Sequence, residues 1–348
     1  MREPWIDRWK GLLILLVVLG HVAGSVGAMA PYAEWHVWNY VYKAIYLFHM
    51  AAFFFISGML FKPDSPLDFI GKRFRRLVVP YLVFGVISIA AFQLLESAFK
   101  ASVNGNGYWL ARGGDAWWAP WVSLLYGAPW PGTDGFRCNS VLWFLPCLFS
   151  AQALMLAVSR CSRWVVMAIG LASPMVFVAM NRWGCPNLPW GLSVLPKYFI
   201  FVAFGHMAGA NRLPGGRWSW GAIAYLVLAY FICYEEAMYV RFGWWWLVTA
   251  MGLAGIAVSA ALAKVLKGGW LATIGVMSIA IMLTHKFPLL ALQLKAPLLR
   301  DWIVAGGVRS GLAALGLFIG ATLVSTVAGV VIKRYAPWAL GMRAKNVS

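Results

Sequence analysis

A chain of 348 residues in which 62% are hydrophobic and only 11% charged excludes an ordinary soluble protein, whose composition is roughly half apolar and about a quarter charged. The net charge of +18 would point to a nucleic-acid surface on a soluble chain. On one this apolar it is what cytoplasmic loops collect through the positive-inside rule, so no nucleic-acid partner is expected. Five cysteines without a CxxC pair or metal-ligand spacing give no reason to expect a metal site.

A helix needs about 20 apolar residues to cross a bilayer. In chain order, apolar runs broken by charge, Pro or Gly predict spans over roughly 9–29, 40–61, 77–98, 140–158, 163–180, 189–210, 218–234, 243–263, 270–291 and 309–331. The first run follows a charged, tryptophan-bearing start and lacks a small-residue cleavage site, so it is expected to stay as a span. Segment 116–127 is too short and Pro-broken to cross and reads as interfacial. The expected fold is therefore all-α, a polytopic integral membrane bundle of about ten transmembrane helices. Lys and Arg concentrate on the side that holds Lys72, Arg73, Arg75, Arg76, Lys333 and Arg334. That bias predicts both termini to be cytoplasmic and 99–139 to be an extracytoplasmic loop within a single domain over 1–348.

Ionisable residues inside spans are costly and usually face a cavity, a partner or a pathway. His21 lies in the first span, eleven residues after Lys10. That separation is about 16 Å along a helix and close to three whole turns, so both side chains leave one face. Lys10 then marks the cytoplasmic rim and His21 a titratable group deep in the span, with Asp7 placed to hold the lysine. His21 also reads as a structural histidine, because Gly20 and Gly24 form a small-xxx-small pattern that favours close helix packing. His285 in the ninth span reaches a similar depth, and His49 sits near the middle of the second. His206, towards a span end, and His36, in a loop, read as structural. Arg73 and Arg76 are three apart, share a helix face and are able to fork onto a phosphate. A basic run beside a span is equally what topology alone produces.

These pieces resemble the acyltransferase-3 membrane family. Trp5-Ile-Asp7-Arg-Trp-Lys10 followed by Gly20-His21 is similar to its first helix, with its basic residue, ten residues, then histidine. Phe48-His49-Met50 and Phe53-Phe54-Phe55-Ile56-Ser57-Gly58 are similar to its second helix. Arg73-x-x-Arg76 with Pro80-Tyr81 resembles its double-arginine motif, Leu142-Trp143-Phe144-Leu145 its fourth helix, and Gly275 to Ser278 with His285 its late glycine–serine–histidine helix. The sequence departs in carrying Lys at position 10, where Arg is commoner, and Ala51, where many relatives have Pro. No appended hydrolase-like domain is expected.

The resemblance implies an O-acetyltransferase of the fucose-acetylase or exopolysaccharide type in the bacterial inner membrane. It would move acetyl from cytoplasmic acetyl-CoA, a substrate rather than a permanently bound cofactor, to a glycan or lipid-linked oligosaccharide hydroxyl. Membrane lipids and glycan-assembly machinery are the other partners it implies. Under it, His21 and His285 are catalytic, Lys10, Arg73 and Arg76 bind CoA, and Asp7, His49, Ser57 and Trp143 support them. Tryptophans of the 108–130 region are expected to stack on sugar rings or anchor the interface. A transporter is the rival reading, but its usual marks, acidic residues within spans or paired broken helices in two repeats, are not visible.

Overall fold

The computed structural model describes residues 3–99, 118–128, 139–209, 244–295 and 297–342, together with residues 221, 224–225 and 227–228. Among them there is no strand. The helices are α1 (Pro4–Gly27), α2 (Tyr32–Tyr46), α3 (His49–Met59), α4 (Pro66–Arg73), α5 (Val79–Phe99), α6 (Ala119–Tyr126), α7 (Phe144–Val158), α8 (Arg163–Arg182) and α9 (Leu195–Ala208). They continue with α10 (Trp245–Val265), α11 (Gly269–Val276), α12 (Ser278–Thr284), α13 (Lys286–Lys295), α14 (Pro297–Ala305) and α15 (Gly307–Tyr335).

Eight of the resulting rods are long and apolar enough to cross a membrane, and a ninth is a pair bent by 61° between Val276 and Ser278. The chain is thus an all-α multi-pass membrane protein. These nine coincide with nine of the ten expected runs, and the tenth, 218–234, lies almost wholly outside the described residues. Segment 116–127 contributes only the eight-residue α6, and most of the 99–139 loop lies outside the described residues.

Two boundaries differ from the sequence reading. The second span begins earlier, so His36 lies in α2 and not in a loop, and the rod breaks at Leu47–Phe48. The third runs back without interruption to Pro66 through a π-helical turn, Phe74–Val78, which places Arg73 and Arg76 inside the rod and not ahead of it. Its start is set locally. Ser65 accepts a hydrogen bond from the Asp68 amide as an N-cap, and Pro66 fits the first turn, where its missing N–H costs nothing. Lys72 donates to Asp64 across this turn and holds that carboxyl below the usual carboxylate range.

The described chain divides into two compact units, 1–61 with 201–331 and 62–200 with 332–348. In the first, α1 is the axis. Lipid tails are as apolar as leucine, so helices in a membrane gain mainly from close packing and buried hydrogen bonds. α1 uses both. Gly11 lies against the Leu271 carbonyl and Gly275 against the Asp7 carbonyl, so α1 and α11 touch backbone to backbone. Trp9, fully buried, donates to Ser259 Oγ on α10 at 3.0 Å, a bond worth about 1 kcal/mol inside a membrane. Gly58 and Gly205 bring α3 and the end of α9 together in the same way.

In the second unit, α4 and the π turn pack on α7, and Gly341, in a left-handed conformation at φ 66°, closes on the Arg75 carbonyl. Tyr81 donates to the Leu124 carbonyl at 2.8 Å and ties α5 to α6.

Candidate functional site

In the first unit α1, α2 and the bent span gather the titratable groups. Gly20 and Gly24 leave room on α1, and two rings of α2 fill it. A Cβ at Gly20 would stand 3.0 Å from Tyr46, and one at Gly24 3.2 Å from Tyr42. Those tyrosines stack with ring centroids 3.9 Å apart. The small-residue pattern therefore packs helices and also seats Tyr46 beside His21.

The Tyr46 hydroxyl lies 3.2 Å from His21 Nδ1 and 3.5 Å from Nε2. The same tyrosine ring meets His49 edge-on, at 4.7 Å between centroids. His285 lies close by on the bent span, with its ring centroid 5.2 Å from that of His21. Sequence predicted only that these two histidines share a depth; the fold brings their rings side by side.

The three histidines are not equivalent. His285 and His49 are buried, whereas His21 is half-buried. His285 Nδ1 faces the Ile281 carbonyl at 2.9 Å and His49 Nδ1 the Ile45 carbonyl at 2.8 Å. A carbonyl only accepts, so in both rings Nδ1 carries the proton and Nε2, when the ring is neutral, a lone pair. His285 Nε2 is buried without a hydrogen-bond partner among the described residues. Orphaned buried acceptors cost free energy and persist where they have a task.

Lys10 lies 3.9 Å from Asp7, the lysine partly exposed and the aspartate buried. The Gly11–Leu271 and Gly275–Asp7 contacts fix this end of α1. Ser57 stands half-buried on α3.

The remaining candidates belong to the second unit. Arg73 is half-buried with its guanidinium 4.8 Å from the Phe69 ring centroid, and Arg76 is exposed. π turns recur at functional sites, and this one carries Arg75 and Arg76. Trp143, at the end of a 3₁₀ turn, packs on Tyr198 at 5.5 Å. Of the tryptophans expected at an outer mouth, Trp109, Trp117 and Trp130 lie outside the described residues, while Trp118 is exposed and Trp121 half-buried.

Two residues of the histidine cluster escaped the sequence reading. Tyr46 was one aromatic ring among many, although its spacing of four from Tyr42 matches that of Gly20 and Gly24. Lys286 falls inside the ninth predicted span, 270–291, but nothing in the sequence separates it from lysines at span rims, and it follows directly on His285.

A family model described as an acyltransferase domain matches residues 3–334. Nodulation protein NolL of Mesorhizobium japonicum is 24% identical over 246 residues, which cover 67% of this chain and 56% of that protein. The match thus takes in little more than half of that relative's length. No solved structure matches. With an acyltransferase model covering almost the whole chain and a multi-pass helical fold around a histidine cluster, the chain belongs to the acyltransferase-3 family of membrane proteins.

Proposed function

We propose that this chain is an O-acetyltransferase of the bacterial inner membrane, moving acetyl from cytoplasmic acetyl-CoA to a hydroxyl of an extracytoplasmic or lipid-linked glycan. The observation that carries the reading is the half-buried His21 in contact with Tyr46 and beside His285 inside a bundle of spans. His21 is the general base. With its Nδ1 proton donated to the Tyr46 oxygen, Nε2 is free to take the proton of the sugar hydroxyl. The sugar oxygen bonds to the thioester carbonyl carbon, whose π pair moves to oxygen. When that pair returns, the C–S bond breaks and the CoA thiolate leaves with the proton held by His21. His285, buried beside it, holds the ring in place, and His49 packs against Tyr46.

CoA carries several phosphate charges, which suit Lys10, Arg73 and Arg76. Asp7 holds Lys10, and Ser57 and Trp143 are supporting residues. Changing Arg73 and Arg76 together to Ala should raise the Kd for CoA about tenfold or more, in line with the loss of charge-assisted hydrogen bonds. The protein should still reach the membrane. Isothermal titration of the detergent-purified protein with CoA checks this, and an unchanged Kd returns both arginines to topology.

Tyr46→Phe keeps the stack on Tyr42 and deletes only the hydroxyl. It should lower kcat about 10-fold to 100-fold, a share of what a positioned base supplies, with the KM for acetyl-CoA nearly constant. Steady-state CoA release measures both.

The test of the function itself is the ester content of surface glycans in a deletion strain. Loss of acetyl esters, restored by the wild-type chain, supports the reading and identifies the acceptor. Unchanged esters, joined to indifference of the purified protein to CoA, would favour a transporter.

A further inference from the structure

Lys286 is a cation in the wrong place for a structural residue. It lies within the apolar span Ser278–Ala291, next to His285, and opens α13. It is half-buried, like His21 and unlike His285 and His49. It is near enough to both His21 and His285 to act on each electrostatically. Among the described residues no carboxylate pairs with it. The ion pairs of Lys10 and Lys72 go elsewhere, and the acidic residues described in this unit are Glu3, Asp7, Glu34 and Asp301. Glu3 stands at the N-cap position of α1, Asp7 lies in its first turn beside Lys10, Glu34 binds the Gly307 amide and Asp301 lies on α14. Along α1, Asp7 is about 21 Å from the level of His21.

A positive charge inside a span is costly and is retained where something negative meets it. The reaction proposed above makes such a charge at one moment. As the sugar oxygen bonds to the thioester carbon, the carbonyl oxygen becomes anionic, and it loses that charge when the C–S bond breaks. Preorganised positive groups aimed at such an oxygen supply large rate factors in a site that excludes water. Of the groups in the cluster, His21 is occupied with the proton, and the Nδ1–H donors of His49 and His285 are spent on backbone carbonyls. Beside the Tyr46 hydroxyl, which sits against His21, the ammonium of Lys286 is the donor that brings a positive charge.

We infer that Lys286 is a further catalytic residue, whose ammonium, standing beside the His21–His285 pair, stabilises the oxyanion of the acyl-transfer intermediate. The inference rests on the acetyl-transfer reading. It separates the duties of the accessible groups: His21 moves the proton and Lys286 receives the charge. It also predicts that charge, not shape, is what position 286 requires.

The test is CoA release from acetyl-CoA by the full-length protein in nanodiscs, with the glycan fraction of the host strain as acceptor. Lys286→Met keeps the length of the side chain and removes its charge. It should lower kcat about 100-fold to 1000-fold, the range for losing one oxyanion donor, with the KM for acetyl-CoA within about twofold. Lys286→Arg should recover a measurable part of kcat, because the charge returns in a different shape. If the Met variant fails to accumulate in the membrane, Lys286→Gln reads the same loss of charge. A Met or Gln variant with wild-type kcat, or with a raised KM and normal kcat, would overturn the assignment while leaving His21 in place. Wild-type protein that releases no CoA would overturn the parent reading, and this inference with it.

Discussion

His21→Ala should abolish acyl transfer while the protein still inserts and accumulates. A positioned general base supplies about 10²-fold to 10⁴-fold, equivalent to roughly 3–5 kcal/mol of barrier, so activity should fall to the limit of detection. Insertion should survive because Ala is the better helix former and the packing of α1 depends on Trp9, Gly11, Gly20 and Gly24. The measurement is the acetyl-ester content of glycans in the deletion strain carrying the variant, with immunoblotting of the membrane fraction. Esters at wild-type level would remove His21 from the mechanism. His285→Ala is the instructive companion. It empties a fully buried position beside His21, so it should also cost membrane abundance, which His21→Ala should not.

The contrast between these histidines shows how much of the site could be read from residues in order. Helical arithmetic put Lys10 and His21 on one face of the first span and gave His21 and His285 a similar depth. Neither argument reaches across helices, because rotation of a span about its axis is set by packing and leaves no trace in hydropathy. Tyr46 illustrates the gap. In an apolar run rich in aromatic rings it looks like core filling, and only the matching of Tyr42 and Tyr46 to Gly24 and Gly20 reveals that it seats His21. Lys286 was obscured differently, since a lysine near the predicted end of a span reads as one that reaches to the interface. Its half-burial beside the histidine pair is a property of the fold.

The spans themselves were legible because twenty apolar residues in a row have few other uses. Their irregularities were not. The π turn over Phe74–Val78 arises from a shifted hydrogen-bond register that no residue type announces. It carries the helix back through Arg73, where the sequence places a basic run beside the span. The 61° bend around Met277 has no proline to signal it. Near it, Gly275 accepts the backbone of α1, so the span changes direction where it touches the helix that bears His21.

That contact carries the last prediction. Gly275→Ala adds one methyl group at a position where its Cβ would overlap the Asp7 carbonyl and approach the Gly11 amide to 2.9 Å. Neither neighbour is a flexible side chain, so α1 has to withdraw from α11. Gly→Ala in a helix interior ordinarily gains about 0.5–1 kcal/mol. Here overpacking should outweigh that gain and destabilise by about 1–3 kcal/mol. Gly311→Ala in α15 makes the same chemical change with nothing within 4 Å of the new atom, so it should show the propensity gain alone. Thermal unfolding of the two purified variants should therefore move in opposite directions from wild type. The functional consequence follows from what α1 holds. Lys10 borders the contact and His21 stands about three turns further along, so withdrawal of α1 should weaken CoA binding and disturb the 5.2 Å spacing of His21 and His285 together. A Gly275→Ala protein that melts like Gly311→Ala and turns over normally would mean that the α1–α11 contact does not set the geometry of the histidine pair.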